Sequence, residues 1–450
     1  MISKMKKRLI SIFVLTSCFV TAVSFAQSKS SNPDLIVQAI EITGQTKTRA
    51  NVITNYLTFH VNGSISPEKI EASWQLLKQT NFFKNVEIYT RPGKEKGLVI
   101  AIIEIEDRRR PYFEFAGGHS DLDGWYFVPA SFRFDNQFGR GNLLDIQIYL
   151  SDRTSKFSIN YKHPYLFDGS SYFSTELYGG GRQYIHYLNG LQAQQDVNFT
   201  GLKMHIGGNE GLFRFIKLGI QVEKFEPKNE LKFSNNDSVV VDLQIPPDLR
   251  PNDEMTKASA FTLALGFDGR DNIYYPKKGF WGAAIYEKAT KELNSEFEYS
   301  RVLLDGRFYQ KIFGTHVLAL NVKNAYASED SPFFKRFYLG GANSLRGFSE
   351  RRLTPVGYGT KLFLGNIEYR FALTNKMVAE PPVFGVLFYS QGGLWQNDAK
   401  INTDEMFKSL GFGLRFRLPI LGLTRVDFAF PTTVLDDEDF QLHISLGQTF

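Results

Sequence analysis

The chain has 450 residues, 43% hydrophobic and 22% charged, with 41 Phe, 21 Tyr, 38 Gly, one Cys and a formal net charge of +5. No apolar run beyond the N-terminus reaches the roughly 18 residues of a membrane helix, and the aromatic fraction of 15% excludes a disordered chain. The excess of Phe, Tyr and Gly favours β-structure, which leaves a soluble β-rich protein or a membrane β-barrel.

Lys4, Lys6, Lys7 and Arg8 precede an apolar run over residues 9–14 that continues weakly to Phe25, and Ser24 and Ala26 put small residues at a cleavage position. Residues 1–26 therefore read as a bacterial secretory signal cut after Ala26. Leu15-Thr16-Ser17-Cys18 also fits a lipid-attachment box, but the residues after Cys18 stay apolar, which favours the plain signal. The signal carries four basic residues and no acidic one, so its loss lowers the charge to about +1 and removes any electrostatic argument for nucleic acid. The mature chain would then have no cysteine, so its stability must come from a core or a closed sheet.

Residues 34–107 read as a small α/β unit. A strand over 36–43 ends at Gly44, and residues 49–57 suit a short helix. A stronger helix follows Ser66 as N-cap, with Pro67 in the first position and Glu68 in the first turn. Ile70, Trp74, Leu77 and Leu76 are expected on its apolar face. Strands over 82–89 and 98–106 flank a Pro92-Gly93 turn, giving the order β-α-α-β-β.

From residue 111 to 450 strand-like runs follow one another. Phe261, Leu263, Leu265 and Phe267 alternate with small or polar residues, as do Ile367, Tyr369 and Phe371 with Glu368 and Arg370, and Val426, Phe428 and Phe430 with Arg425 and Asp427. Such alternation fits a soluble sandwich or, with the geometry inverted, a membrane barrel whose apolar residues face lipid. Run lengths of about 9–12 residues, the flanking aromatics, the export signal and the lack of cysteine favour the membrane barrel. The runs begin near residues 111, 126, 142, 154, 171, 196, 213, 257, 279, 296, 314, 361, 383, 407, 423 and 440, which makes sixteen. If the small unit is periplasmic, connections after odd runs face outward and should be long. Segments 227–256 and 326–360 follow the seventh and eleventh runs, and the short 418–422 follows the fourteenth. At the end of the chain Leu442, Ile444, Leu446 and Phe450 share one face, a pattern similar to a bacterial outer-membrane assembly signal.

Residues 337–348 read Phe-Tyr-Leu-Gly-Gly-Ala-Asn-Ser-Leu-Arg-Gly-Phe. This resembles the lumen-loop motif of the BamA/TamA/FhaC-like outer-membrane superfamily, here Gly340, Gly341, Leu345, Arg346, Gly347 and Phe348. Asp268, Arg270 and Asp271 with Pro276 and Gly279 resemble its periplasmic turn, and Phe138-Gly139-Arg140-Gly141-Asn142 resembles its early hairpin. The resemblance covers essentially the whole mature chain. It implies a 16-stranded antiparallel transmembrane barrel over 111–450 preceded by one periplasmic POTRA-like domain over 34–107. The family's wall strand carries Phe-x-Asp-x-Gly opposite the loop arginine; here Phe388, Ser390 and Gly392 stand in that pattern, with serine in the acidic place. Either Glu368 or Asp427 then pairs with Arg346, or the loop is held less tightly.

The resemblance implies an outer-membrane insertase or translocase acting on unfolded outer-membrane or secreted clients, among outer-membrane lipid and accessory lipoproteins. The strand carrying Phe83, Val86, Ile88 and Tyr89 would dock an extended client segment by β-augmentation. General assembly members usually carry five POTRA domains, and dedicated secretion pores two with a plug helix. The single domain read here leaves the client range open. The alternative is a passive or substrate-specific pore. No Gly-x-Ser-x-Gly, His-Glu-x-x-His, phosphate-loop or paired-cysteine motif points to an enzyme, a cofactor or a metal.

Overall fold

The computed structural model describes residues 35–80, 82–108, 112–120, 124–136, 138–166, 171–188, 191–210, 213–233, 255–272, 275–373, 382–397, 399–418, 422–433 and 439–446. The export signal lies outside them. A four-stranded sheet contains β1 (Leu35–Thr43), β2 (Ser64–Ile65), β3 (Phe83–Pro92) and β4 (Leu98–Asp107), in the order β2-β1-β4-β3. Alternate apolar residues of β1 and β4 turn to one face, where Val37, Val99 and Ala101 pack with Phe59 and Ile65. The two-residue β2 was invisible in the hydrophobic pattern because only two pairings, Leu35 with Ile65 and Ile36 with Ser64, define it. The helix Pro67–Gln79 starts as expected, with the Lys69 N–H donating to Ser66 Oγ at 3.4 Å. Trp74 Nε1 donates to the Val86 carbonyl at 2.9 Å and Leu77 is fully buried. Leu76 is exposed instead, because it lies about 100° around the helix from Leu77.

The larger sheet comprises β5 (Tyr112–Ser120), β6 (Gly124–Asp135), β7 (Leu143–Ser151), β8 (Thr154–Leu166), β9 (Ser171–Leu188), β10 (Leu191–Glu210), β11 (Phe213–Phe233), β12 (Thr256–Lys257), β13 (Ala260–Asp268), β14 (Gly279–Ala289), β15 (Ser300–Phe313), β16 (His316–Ala327), β17 (Lys361–Ala372), β18 (Val383–Trp395), β19 (Phe407–Leu418), β20 (Gly422–Pro431) and β21 (Gln441–Leu446). It closes into a barrel as β21 meets β5. Leu218, Phe261, Ile367, Phe412 and Leu442 point outward and exposed, while Glu368, Arg370, Arg415, Arg425 and Asp427 point inward and buried. Apolar outside and polar inside is the arrangement of a transmembrane barrel. Among the described residues no helix is long and apolar enough to cross a membrane.

Three strands exceed the expected run length by the widest margin. β9, β10 and β11 have 18, 20 and 21 residues, so residues 227–233, expected in a loop, extend β11. A bilayer needs only about 9–11 residues of tilted strand, and the extra length is polar: Lys232 pairs with Asp196 at 2.6 Å and Lys228 with Glu226 at 2.6 Å. Polar strand beyond the apolar band reads as loop when only hydrophobicity is scored.

Residues 45–55 and 80–84 cluster with the barrel residues rather than with the rest of the small sheet. Asp107 organises this part of the larger unit. Its carboxylate accepts the Thr46 N–H at 2.6 Å, the Lys47 N–H at 2.7 Å and the Thr48 hydroxyl. Thr48 Oγ1 in turn accepts from Asn136 Nδ2 at 2.6 Å, and Asn136 Oδ1 accepts the Gly141 N–H at 2.7 Å. Gly139 has φ +68°, and a Cβ there would lie 2.0 Å from the Lys47 carbonyl oxygen. Backbone approach at this turn thus explains the glycine in the early hairpin motif.

Burial pulls the Asp107 carboxyl upward, but the Thr48 hydroxyl and the N–H groups of Lys47, Thr46 and Thr48 outweigh it and hold the pKa below the usual value. The stabilisation is therefore complete above the unfolded carboxylate value of about 3.9 and fades as pH falls through the lower folded value. Asp107→Asn is expected to cost about 1–3 kcal/mol at neutral pH. Melting curves of both forms should show a gap at pH 7 that narrows toward pH 3; a gap independent of pH would refute the role of the charge.

Candidate functional site: the lumen loop

Residues 328–360 connect β16 to β17 and fold inward. The guanidinium of Arg346 is fully buried, with Nη1 2.7 Å from Glu368 Oε1 on β17 and 3.7 Å from Asp427 Oδ2 on β20. Nη2 donates to Ser390 Oγ on β18 at 3.4 Å, and the group lies 3.6 Å from the Phe388 ring centroid. Glu368 also holds Arg370 at 2.8 Å, and Asp427 holds Arg415 at 2.7 Å. Three buried guanidiniums therefore share two carboxylates. Burial of such groups is tolerable only when each is paired and hydrogen-bonded.

The neighbouring motif residues set this geometry. Gly340, Gly341 and Gly347 have φ of +108°, +116° and +95°, which β-carbon residues rarely adopt. The Gly347 N–H donates to His443 Nε2 on β21 at 3.3 Å. Leu345 and Phe348 are fully buried and pack with Leu339, Leu353 and Leu364, and Phe348 meets Phe407 of β19 edge-on at 5.6 Å. Gly392 leaves room for Leu339, whose Cδ1 would lie 3.2 Å from a Cβ there.

The loop has a second anchor that sequence reasoning did not find. Lys335, in the 3-10 turn Phe333–Lys335, is buried between Glu223 of β11, which it bonds directly, and Glu287 of β14 at 3.4 Å. Tyr178 and Tyr299 donate their hydroxyls to Glu223 and Glu287 respectively. Phe334 stacks on Phe225 at 4.2 Å, and Phe333 meets Tyr184 edge-on at 5.3 Å. Tyr358 OH donates to the Ile185 carbonyl of β9 at 2.9 Å and accepts from Arg351 Nη1 at 3.2 Å. Two consecutive Phe beside a Lys in an otherwise polar stretch were the available signal. The loop is thus fixed to β9, β11 and β14 at one end and to β17 through β21 at the other.

The remaining predicted positions fall as follows. Asp268 receives both Arg270 Nε at 2.9 Å and Nη2 at 2.8 Å, and Asp271 Oδ1 accepts the N–H groups of Lys277 and Lys278 at 2.8 and 3.1 Å. Pro276 is buried beside them and Gly279 has φ +110°, so this set forms the β13–β14 turn. Leu442 and Ile444 face outward, whereas His443 and Ser445 face the lumen. Phe450 and the side chain of Leu446 lie outside the described residues. β3 is the edge of its sheet, as docking by strand addition requires. Phe83 and Val86, however, are only 4% and 2% exposed, so their side chains are not open to a client. Ile88 is half-buried, and Tyr89 is exposed.

The cation excess around Arg346 gives a test. Ser390→Asp adds a carboxylate next to Nη2, and Asn366, whose Oδ1 now accepts from Ser390 at 2.7 Å, can turn its amide to donate. Charge-assisted hydrogen bonds of this kind contribute about 1.5–3 kcal/mol. The variant should unfold at higher temperature or denaturant than the parent; a lower midpoint would mean the serine site is already electrostatically balanced.

Among the described residues no group of His, Cys, Asp and Glu is placed to hold a metal ion. What the site can do is mechanical and electrostatic: hold an inward loop to both walls of a closed barrel.

Residues 136–450 match the family described as the Omp85 superfamily domain, and residues 35–106 match the POTRA family described as the surface antigen variable number repeat. The outer membrane protein assembly factor BamA of Nitratidesulfovibrio vulgaris is 22% identical over 434 residues, covering 92% of this chain and 51% of that protein. The chain spans about half the length of the curated relatives it matches. Its fold is similar to BamA from Haemophilus ducreyi lacking POTRA domains 1–3, with a TM-score of 0.67 at 16% identity over 92% of this chain and 84% of that one. It is also similar to CdiB from Acinetobacter baumannii, with a TM-score of 0.56 at 15% identity over 92% and 74% of the two chains.

Proposed function

Because this chain belongs to the Omp85 superfamily, we propose that it is an outer-membrane insertase or translocase that assembles or secretes client proteins. It sits in the bacterial outer membrane with its POTRA domain in the periplasm. The observation that carries the reading is the loop held across the lumen by Arg346 and Lys335. A barrel of this size encloses more space than its wall side chains fill. A loop anchored at both ends occupies part of that space and keeps the wall as the working surface, where a client strand can pair without leaving backbone groups unsatisfied in lipid. The exposed edge of β3 would receive an extended client segment through its backbone, with Tyr89 beside it. Unfolded outer-membrane or secreted proteins are the clients in this reading, with accessory lipoproteins as helpers. The chain carries out no catalytic step in it.

The second reading is a passive or substrate-specific pore, which the inward loop disfavours. One experiment separates the two. The purified full chain in liposomes should accelerate folding of an unfolded outer-membrane barrel client relative to empty liposomes. Steady ion conductance without acceleration would overturn the insertase reading in favour of the pore.

A further inference from the structure

A cavity of about 510 Å³ opens in the lumen beside the loop. Seven cationic side chains and only two carboxylates, Glu223 and Asp305, line it. Glu176, on the same strand face as Tyr178, opposite Lys203 and bonded to Lys156, and Glu287, which pairs with Arg301 and Lys335, raise the negative count to four. The excess is concentrated on the β8–β10 wall. Lys156 and Lys203 lie 4.9 and 4.5 Å from the ring centroid of Tyr178, and the Arg182 guanidinium lies 5.8 Å from that of Phe199. Gly201, paired with Tyr178 across the strands, has no side chain; a Cβ there would come within 2.6 Å of the Tyr178 ring. The glycine lets the ring lie across the neighbouring strand, where both ammonium groups come within 5 Å of its centroid.

These lysines keep charge available. Glu223 is already bonded to Lys335 and to the Tyr178 hydroxyl, and Lys203 is its outermost cation at 3.9 Å, with 30% of its side chain exposed. Lys156 pairs with Glu176 at 2.5 Å and retains 27% exposure. A cation surplus in a cleft with low-dielectric walls concentrates anions. It favours a multiply charged anion over a single carboxylate, because each ammonium adds its own Coulomb attraction.

We propose that this chamber binds a water-borne diphosphate-class oxyanion between Lys156 and Lys203, with Arg182 at its edge. The site faces the lumen, so the wall separates it from lipids whose tails remain in the bilayer. It is independent of the loop anchors' role in client assembly.

Calorimetric titration of inorganic pyrophosphate into the full chain in neutral detergent at low salt tests it. One saturable site is expected, weakened by added salt as screening requires. Lys156→Met with Lys203→Met should weaken binding at least tenfold while the folded barrel keeps its heat-modifiable mobility on gels. If that double variant does not fold, Lys203→Gln alone decides, with at least a threefold loss expected. Absence of saturable binding by the parent protein, or equal affinity in a folded variant, overturns the proposal.

Discussion

Arg346→Ala is expected to reduce the acceleration of client folding in liposomes at least tenfold while leaving a closed, folded barrel. The guanidinium is the single group shared by Glu368, Asp427, Ser390 and Phe388, which sit on β17, β20 and β18. Removing one partner of a buried ion pair costs about 3–5 kcal/mol when it leaves a charge alone. Here neither carboxylate is left alone, since Glu368 keeps Arg370 and Asp427 keeps Arg415. The lower end, about 3 kcal/mol, is therefore the better figure. Applied to loop anchoring, it changes the ratio of docked to undocked loop roughly a hundredfold. The wall keeps its own backbone ladder, so closure of the barrel should survive. Client-folding rates with matched heat-modifiability gels check both halves. Unchanged acceleration by the variant would separate the anchor from the activity.

Lys335→Met should lower stability by about 3 kcal/mol, the lower end for a broken buried pair, because both acids keep a second cation. The ammonium is buried between Glu223 and Glu287, and both carboxylates lie on the lumen wall under the loop. Lys203 stands 3.9 Å from Glu223 and Arg301 3.0 Å from Glu287, but the space between the two acids would hold only an apolar chain. Adding Glu223→Gln and Glu287→Gln to Lys335→Met removes the buried negative charge that lost the lysine and should recover most of the loss, because replacing a buried charged set is far less costly than removing one member. Denaturant midpoints of the single and triple variants decide this. A triple variant less stable than the single would show that the tyrosine hydroxyls on Glu223 and Glu287, rather than the lysine, define the anchor.

The barrel was legible because its signal is local. Alternation along each strand marks which residues face lipid, and strands such as β17 and β18 begin at the expected residues 361 and 383. The Arg346 neighbourhood was legible as a short list, since its acidic candidates stand on strands whose phase places them inward, and the list held Glu368 and Asp427. Lys335 was not legible. Its partner Glu223 lies 112 residues away, and nothing within a window of sequence links the two. An isolated lysine in a loop looks solvated until the opposite wall is in view. The network at Asp107 was hidden for the same reason: Asn136 reaches Thr48 across 88 residues. Phe83 and Val86 failed differently, because a strand's apolar residues read the same whether they await a partner or are already buried.

The loop's two anchors also divide the wall by its position along the chain. The wall partners of Lys335, Glu223 and Glu287, precede it in the sequence, and so do Tyr184, Phe225 and Ile185, which hold the neighbouring loop residues. The wall partners of Arg346, by contrast, all follow it: Glu368, Ser390 and Asp427, with His443 on the final described strand holding Gly347. The first anchor therefore needs strands that precede the loop, and the second needs strands that follow it. A loop held at both ends reports that both halves of the wall are in place.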